Sequence, residues 1–292
     1  MFLVAVTALA CSTKTIPDPQ YVPAGGLLDI LKDFQRLARE DIYRFPVSKD
    51  VTGMNVMKAT LLRLEDYERK NPQQFSDIII FSKATAYERL QDYQRAVNYY
   101  QRVAALDGRL GSEAAKNVAS LNSFQEILEK PLPSEDPFEY IKAMDEKVSA
   151  WHELVVKYQG TPYEYLARVE EEKVDRAKVT FVELNRHRIK DGNEMVIVGY
   201  TQLVTKHRQS KNFYQFLLDF GDFYALLARE YLAQYNPEGL SFDPDAFDQL
   251  AKSALKLYTE VAQVDGIIEK IQAQGKIEAL RGLVEKAKRL NR

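Results

Sequence analysis

The chain has one cysteine, one tryptophan and three histidines in 292 residues. A single thiol closes no internal disulfide and completes neither a cysteine-rich zinc site nor a c-type haem attachment. His152, His187 and His207 fall in separate expected helices, and none has a His-x-x-x-His spacing, so each reads as a surface or groove histidine. Glycine-rich phosphate loops are missing too: Gly25-Gly26 is not followed by Lys-Ser/Thr at a helix start, and there is no Gly-x-Ser-x-Gly turn. No apolar run approaches the roughly 20 residues that span a bilayer. A formal net charge of −2 and a pI near 6.1 argue against a nucleic-acid binder. These absences leave no metal, no cofactor and no catalytic residue to expect.

The carboxylates are numerous but suggest no acid–base pair. Glu170-Glu171-Glu172 is expected to be a solvated helix face countered by Lys173, Arg176 and Lys178, since adjacent helical residues point about 100° apart. Asp243-x-Asp245-x-x-Asp248 lacks the glycine and distal glutamate of a calcium loop, so Asp243 reads as a helix cap. Lys206, Arg208 and Lys211 form a small basic cluster, read as a charged helix end or as a contact for anionic lipid or an acidic partner.

What is present is helix. Apolar residues recur at i, i+3, i+4 and i+7 almost throughout, helix formers dominate, and no useful strand alternation occurs. Punctuation by proline and glycine predicts helices at about 27–43, 54–70, 74–90, 93–106, 112–129, 137–158, 162–189, 193–208, 211–235 and 244–264, with a last one to about 290. Asp136-Pro137, Thr161-Pro162 and Asp243-Pro244 each supply a cap followed by proline at the first helical position. Ile78 to Phe81 is read as buried helix. The fold class is all-α, a solenoid of about ten to eleven helices in antiparallel hairpins over residues 27–292. The last helix, with Ile267, Ile268, Ile271, Ile277, Leu280 and Leu283, is expected to cap the array or pair with another chain.

An internal repeat supports this. AVNYYQRVAALDG (96–108) and ALKLYTEVAQVDG (254–266) share Ala96/Ala254, Tyr100/Tyr258, Val103/Val261, Ala104/Ala262, Asp107/Asp265 and Gly108/Gly266. Trp151-x-x-Leu154-Val155 and Tyr200-x-x-Leu203-Val204 repeat the same rhythm. Residues 77–110 resemble a tetratricopeptide repeat, with Ala84, Tyr87, Ala96 and Tyr100 at its small and aromatic positions and Gly108 in place of its closing proline. Phe220-Gly221-x-x-Tyr224 is similar to the family's first-helix Leu-Gly-x-x-Tyr, with the Ala254/Tyr258 helix as partner. Lys83 departs from the pattern, where leucine is usual. The resemblance implies a concave face lined by first helices. That makes Tyr87, Tyr224 and Tyr231 the partner-binding candidates and protein or peptide segments the partners.

The N-terminus gives an address. Phe2 to Ala10 is apolar apart from Thr7, ends in small residues and is followed by Cys11. This resembles a bacterial lipoprotein signal (residues 1–10), which implies cleavage before Cys11 and lipidation there. Residues 11–26, with three prolines and two glycines, read as a tether. Acyl chains contribute about 0.8 kcal/mol per buried methylene, so several on one cysteine would hold the chain on a membrane. Ser12 is not the aspartate that retains sorted lipoproteins at the inner membrane, so the resemblance implies the periplasmic face of the outer membrane. Tyr158-Gln-Gly-Thr-Pro-Tyr163 is similar to turns in repeat lipoproteins of barrel assembly, a motif too widespread to choose a pathway. The expected function is a lipid-anchored scaffold in envelope or outer-membrane assembly. The alternatives are an enzyme or enzyme accessory acting on envelope polymers, and a cytoplasmic helical-repeat adaptor if Cys11 carries no lipid.

Overall fold

The computed structural model describes residues 22–40, 51–106, 108–133 and 136–291. Cys11 and most of the tether lie outside them. The described residues form eleven helices and no strand: α1 (Pro23–Glu40), α2 (Val51–Lys70), α3 (Ser76–Arg89), α4 (Tyr93–Ala104), α5 (Gly111–Leu128), α6 (Pro137–Lys157), α7 (Pro162–Asn185), α8 (Gly192–Lys206), α9 (Phe213–Gln234), α10 (Pro244–Ala262) and α11 (Glu269–Leu290). Each helix packs chiefly on its neighbours in sequence, which makes the fold an α-solenoid of helix hairpins. The helix α11 also reaches back to α9. No helix among the described residues is long and apolar enough to cross a membrane.

Local chemistry sets the helix starts. Asp92 accepts from the Arg95 N–H at 3.1 Å, Asp136 from Phe138 at 2.8 Å, and Asp243 from Asp245 and Ala246 at 2.9 and 3.3 Å. Each satisfies amides that the first turn leaves open. Pro137, Pro162 and Pro244 occupy first-turn positions, where a missing N–H is harmless. The helix α1 begins at Pro23, inside the segment read as tether. Tyr67 Oη donates to the Pro23 carbonyl at 2.7 Å and docks this start on α2.

The internal repeat is a packing unit. Ala96 and Ala254 are fully buried at the helix contacts, and Tyr100, Tyr258, Val103 and Val261 are buried beside them. In three of these repeated helices the buried tyrosine carries its hydroxyl to a carboxylate on the preceding helix. Tyr100 donates to Glu88 at 3.0 Å, Tyr200 to Glu183 at 2.7 Å and Tyr258 to Asp222 at 2.6 Å. Burial and these acids hold all three phenols far above their ordinary pKa, so they remain donors. Trp151 takes the same place in α6, and its Nε1 is buried without a partner. Its ring stands edge-on to Phe124 of α5, 5.0 Å between centroids. With Lys147 Nζ, which donates to the Leu128 carbonyl at 3.2 Å, it bridges α5 and α6 through side chains.

Two glycines are sterically required. A Cβ on Gly192, at the start of α8, would lie 2.1 Å from the Arg186 carbonyl oxygen. This explains Asp191-Gly192, although it is Asp191, not the glycine, that takes the left-handed φ of 55°. A Cβ on Gly221 would lie 2.6 Å from the Tyr258 ring. The helix α7 ends at Asn185 rather than near 189, because the chain turns there to bury Ile189.

Candidate binding cleft

A cleft of about 820 Å³ opens between α1 and α3 on one side and the α6–α7 turn with the first turns of α7 on the other. That is the size of sites for drug-sized ligands, about 300–1,000 Å³. Leu31 and Phe34 of α1 and Ile78 and Phe81 of α3 supply apolar wall, and Pro162 closes the α7 side. Arg89, Glu164 and Arg168 are its charged residues. Arg168 donates through Nε and Nη2 to Glu164 at 3.0 and 2.9 Å, and the Gly160 N–H adds a bond of 2.7 Å to the same carboxylate. These donors hold the Glu164 pKa below its usual value, the Gly160 amide most strongly. Thr161 stands at the cap position of α7 but does not cap it. Its hydroxyl donates to the Tyr158 carbonyl at 2.6 Å instead.

Behind the α3 wall lies a buried polar cluster. Glu88 accepts from Tyr100 of α4 and from Tyr163 of α7, each at 3.0 Å. Thr85, on the cleft wall, donates its hydroxyl to the Phe81 carbonyl at 3.1 Å and has the same Oγ1 3.0 Å from Tyr100 Oη. Burial pushes the Glu88 pKa up, and the Arg89 charge and the two hydroxyls only partly offset it. Tyr163 is driven far up by burial and by Glu88. A few turns along α7, Glu170 accepts from Tyr93 at 2.7 Å and from Lys173 at 2.8 Å, and Lys173 also reaches Gln91 at 2.5 Å. These bonds fasten the beginning of α7, one wall of the cleft, to the α3–α4 hairpin.

The acidic run is therefore not a solvated face. Glu170 and Glu171 are each 3% exposed. Glu171 accepts from Lys206 Nζ at 2.9 Å and faces His152 Nδ1 at 3.0 Å, while Glu172 accepts from Asn212 at 2.6 Å. The neighbouring Asp175 accepts from His207 Nε2 at 2.8 Å and Lys206 Nζ at 2.7 Å. Burial raises the Asp175 pKa, but those two hydrogen bonds outweigh it and leave the carboxyl below its usual range. Neighbouring helices on several sides of α7 claim these acids, which its own sequence cannot reveal. His207 is buried, contrary to the surface or groove expectation, whereas His152 and His187 are exposed. Lys206 is drawn out of the expected basic cluster into this network. No group of three or more His, Cys, Asp or Glu placed to hold a metal occurs among the described residues.

The three tyrosines singled out from sequence lie apart from the cleft lining. Tyr87 is half-buried, stacked on Tyr99 at 5.3 Å with Arg95 5.5 Å above its ring. Tyr224 is half-buried against Phe220, 5.0 Å between centroids. Tyr231 packs on Tyr235 and Phe242, and its Oη accepts the Asp243 N–H at 3.1 Å, which fixes the approach to α10. Sequence reasoning missed Arg89, Arg168 and Glu88. Glu88-Arg89 at a helix end looks like an ordinary solvated pair, and only the return of α7, with Tyr163 75 residues further on, buries the acid. The one local signal was Glu164, four residues before Arg168 in an ion-pair spacing. No protein-family model matches the chain, and no curated protein matches it either.

Proposed function

We propose that the chain is a lipid-anchored helical-repeat scaffold that binds protein or peptide partners and does no chemistry of its own. The observation that carries the binding reading is the cleft: apolar walls, a few fixed polar groups, and a volume suited to a short chain segment rather than an ion. The hairpin array supports it, because stacked helix pairs present extended recognition surfaces. The tetratricopeptide resemblance offers Tyr87, Tyr224 and Tyr231 as further contacts on the same kind of surface.

The address rests on the N-terminal resemblance. Acylation at Cys11, with Ser12 following, makes the periplasmic face of the outer membrane the proposed location and envelope assembly the proposed setting. The test is intact mass and membrane fractionation in the native host, beside Cys11→Ala. The expected mature chain begins at an acylated Cys11 and leaves the membrane fraction on substitution. A full-length, unmodified chain in the soluble fraction would overturn the anchor and the periplasm together, and the cytoplasmic adaptor would replace them.

A further inference from the structure

The charge of the cleft does not balance. Glu164 is already satisfied by Arg168 and the Gly160 amide. Arg89 has no ion-pair partner among the described residues, and its Nε is buried with no hydrogen bond. The adjacent Glu88 is attracted by this charge but makes no ion pair with it, because that carboxylate is turned to Tyr100 and Tyr163 and burial disfavours its charge. The α7 N-terminus, whose cap residue leaves the first-turn amides uncapped by its side chain, adds positive potential on the opposite wall. Between these groups the walls are Leu31, Phe34, Ile78 and Phe81.

From this the geometry points to a site for an extended peptide segment that presents one carboxylate side chain between apolar residues. The carboxylate pairs with the Arg89 guanidinium, and the flanking side chains fill the space between the α1–α3 wall and the start of α7. One cation without an ion-pair partner among the described residues matches one anion, and the apolar walls favour apolar contact around it. A phosphate-sized dianion would find one such arginine and leave most of the volume empty. The inference rests on the partner-binding reading above and names the chemistry of the partner.

The test pans a displayed library of random heptapeptides against the full chain, carrying Cys11→Ser to keep it free of acyl groups. Selected peptides are expected to be enriched in Asp or Glu flanked by aliphatic or aromatic residues. A selected peptide and its acid-to-amide version are then titrated by fluorescence anisotropy. Arg89→Gln and the amide peptide should each weaken binding at least tenfold, and the two together no more than either alone. Arg168→Gln should also weaken it, because Glu164 is then free to repel the ligand. Arg281→Gln, on α11 away from the cleft and from the partner-contact tyrosines, should have no effect. If Arg89→Gln lowers the melting temperature, the exposed Arg168→Gln carries the decision. Peptides without acidic enrichment, or with affinities unchanged by the cleft variants, overturn this site and leave the scaffold reading standing. A panning that yields no binder overturns both.

Discussion

Gly221→Ala opposes helix propensity to packing, and the structure says which wins. Gly221 sits inside α9, where replacing glycine by alanine ordinarily stabilises a helix by about 1 kcal/mol. Here the new Cβ would lie 2.6 Å from Cε1 and 2.8 Å from Cδ1 of Tyr258. The ring cannot swing away freely: it is 2% exposed, and its hydroxyl donates to Asp222 at 2.6 Å. Lys276 holds that same carboxylate through both oxygens, at 2.6 and 2.7 Å. Overpacking costs about 1–3 kcal/mol, and disturbing a hydrogen bond to a charged group about 1.5–3. Set against the gain in propensity, the net loss is about 1.5–5 kcal/mol. Urea unfolding of Gly221→Ala measures it. In a Tyr258→Leu background the obstruction is gone, and the same substitution should turn neutral or stabilising, by up to about 1 kcal/mol. Stabilisation in the wild-type background, or equal effects in both, would refute the idea that this glycine exists to admit the tyrosine.

Three further perturbations test the buried polar groups. The raised pKa of Glu88 means the folded state holds its proton more tightly than the unfolded chain, so the wild type should lose stability as pH climbs from the ordinary glutamate value of 4.5; Glu88→Gln should flatten that slope between pH 4 and 7, and parallel curves would contradict the burial argument. The lowered pKa of Asp175 has the opposite sign: its stabilisation is present above the ordinary value of 3.8 and disappears as pH falls below it. Asp175→Asn should accordingly cost about 2–3 kcal/mol at pH 7, because the negative charge that Lys206 and His207 both bond is removed and Lys206 keeps only Glu171, and little at pH 3. Lys83 is buried and paired at 2.7 Å with Glu68, which is 40% exposed, so the two halves of the bridge are unequal. Lys83→Leu should change stability by less than about 1 kcal/mol, whereas Glu68→Leu strands a buried ammonium and should cost about 2 or more; equal effects in thermal melts would show that burial of Lys83 does not govern the pair.

The elements were legible because their signals are local. Asp243-Pro244 caps and starts α10 as its sequence announces, and Ala254 and Tyr258 repeat the burial of Ala96 and Tyr100. The turns were less so. Gln73, Phe75 and Gln91 take left-handed φ values of 65°, 55° and 63° without being glycine, and nothing in their own sequence marks them. The cleft was hardly legible at all. Its walls come from α1, α3 and α7, and the distance in sequence between Glu88 and Tyr163 hides the reason that an ordinary Glu-Arg pair is half buried and half unanswered. Lys83, which looked like a flaw in the repeat, is explained by Glu68 on the neighbouring helix.

The long helix α7 shows why these polar contacts matter more for arrangement than for stability. Apolar faces tolerate sliding, and a solenoid built on them alone would leave the angle between hairpins loosely set. Along α7 the contacts are directional: Tyr163 and Glu170 bind α3 and α4, Glu171 and Asp175 bind Lys206 at the end of α8, and Arg176 and Arg186 pair with Asp219 and Glu230 of α9. Buried ion pairs contribute little net free energy against well-packed apolar residues, but misplacing one strands a charge. A helix pinned at so many points has one orientation against both halves of the array. Because the first turns of α7 form a wall of the cleft, that orientation also sets how far the α1–α3 wall stands from it. Arg89, its Nε buried without a hydrogen bond, therefore lines a cleft whose shape is fixed before any ligand arrives, so less ordering is left for binding to impose.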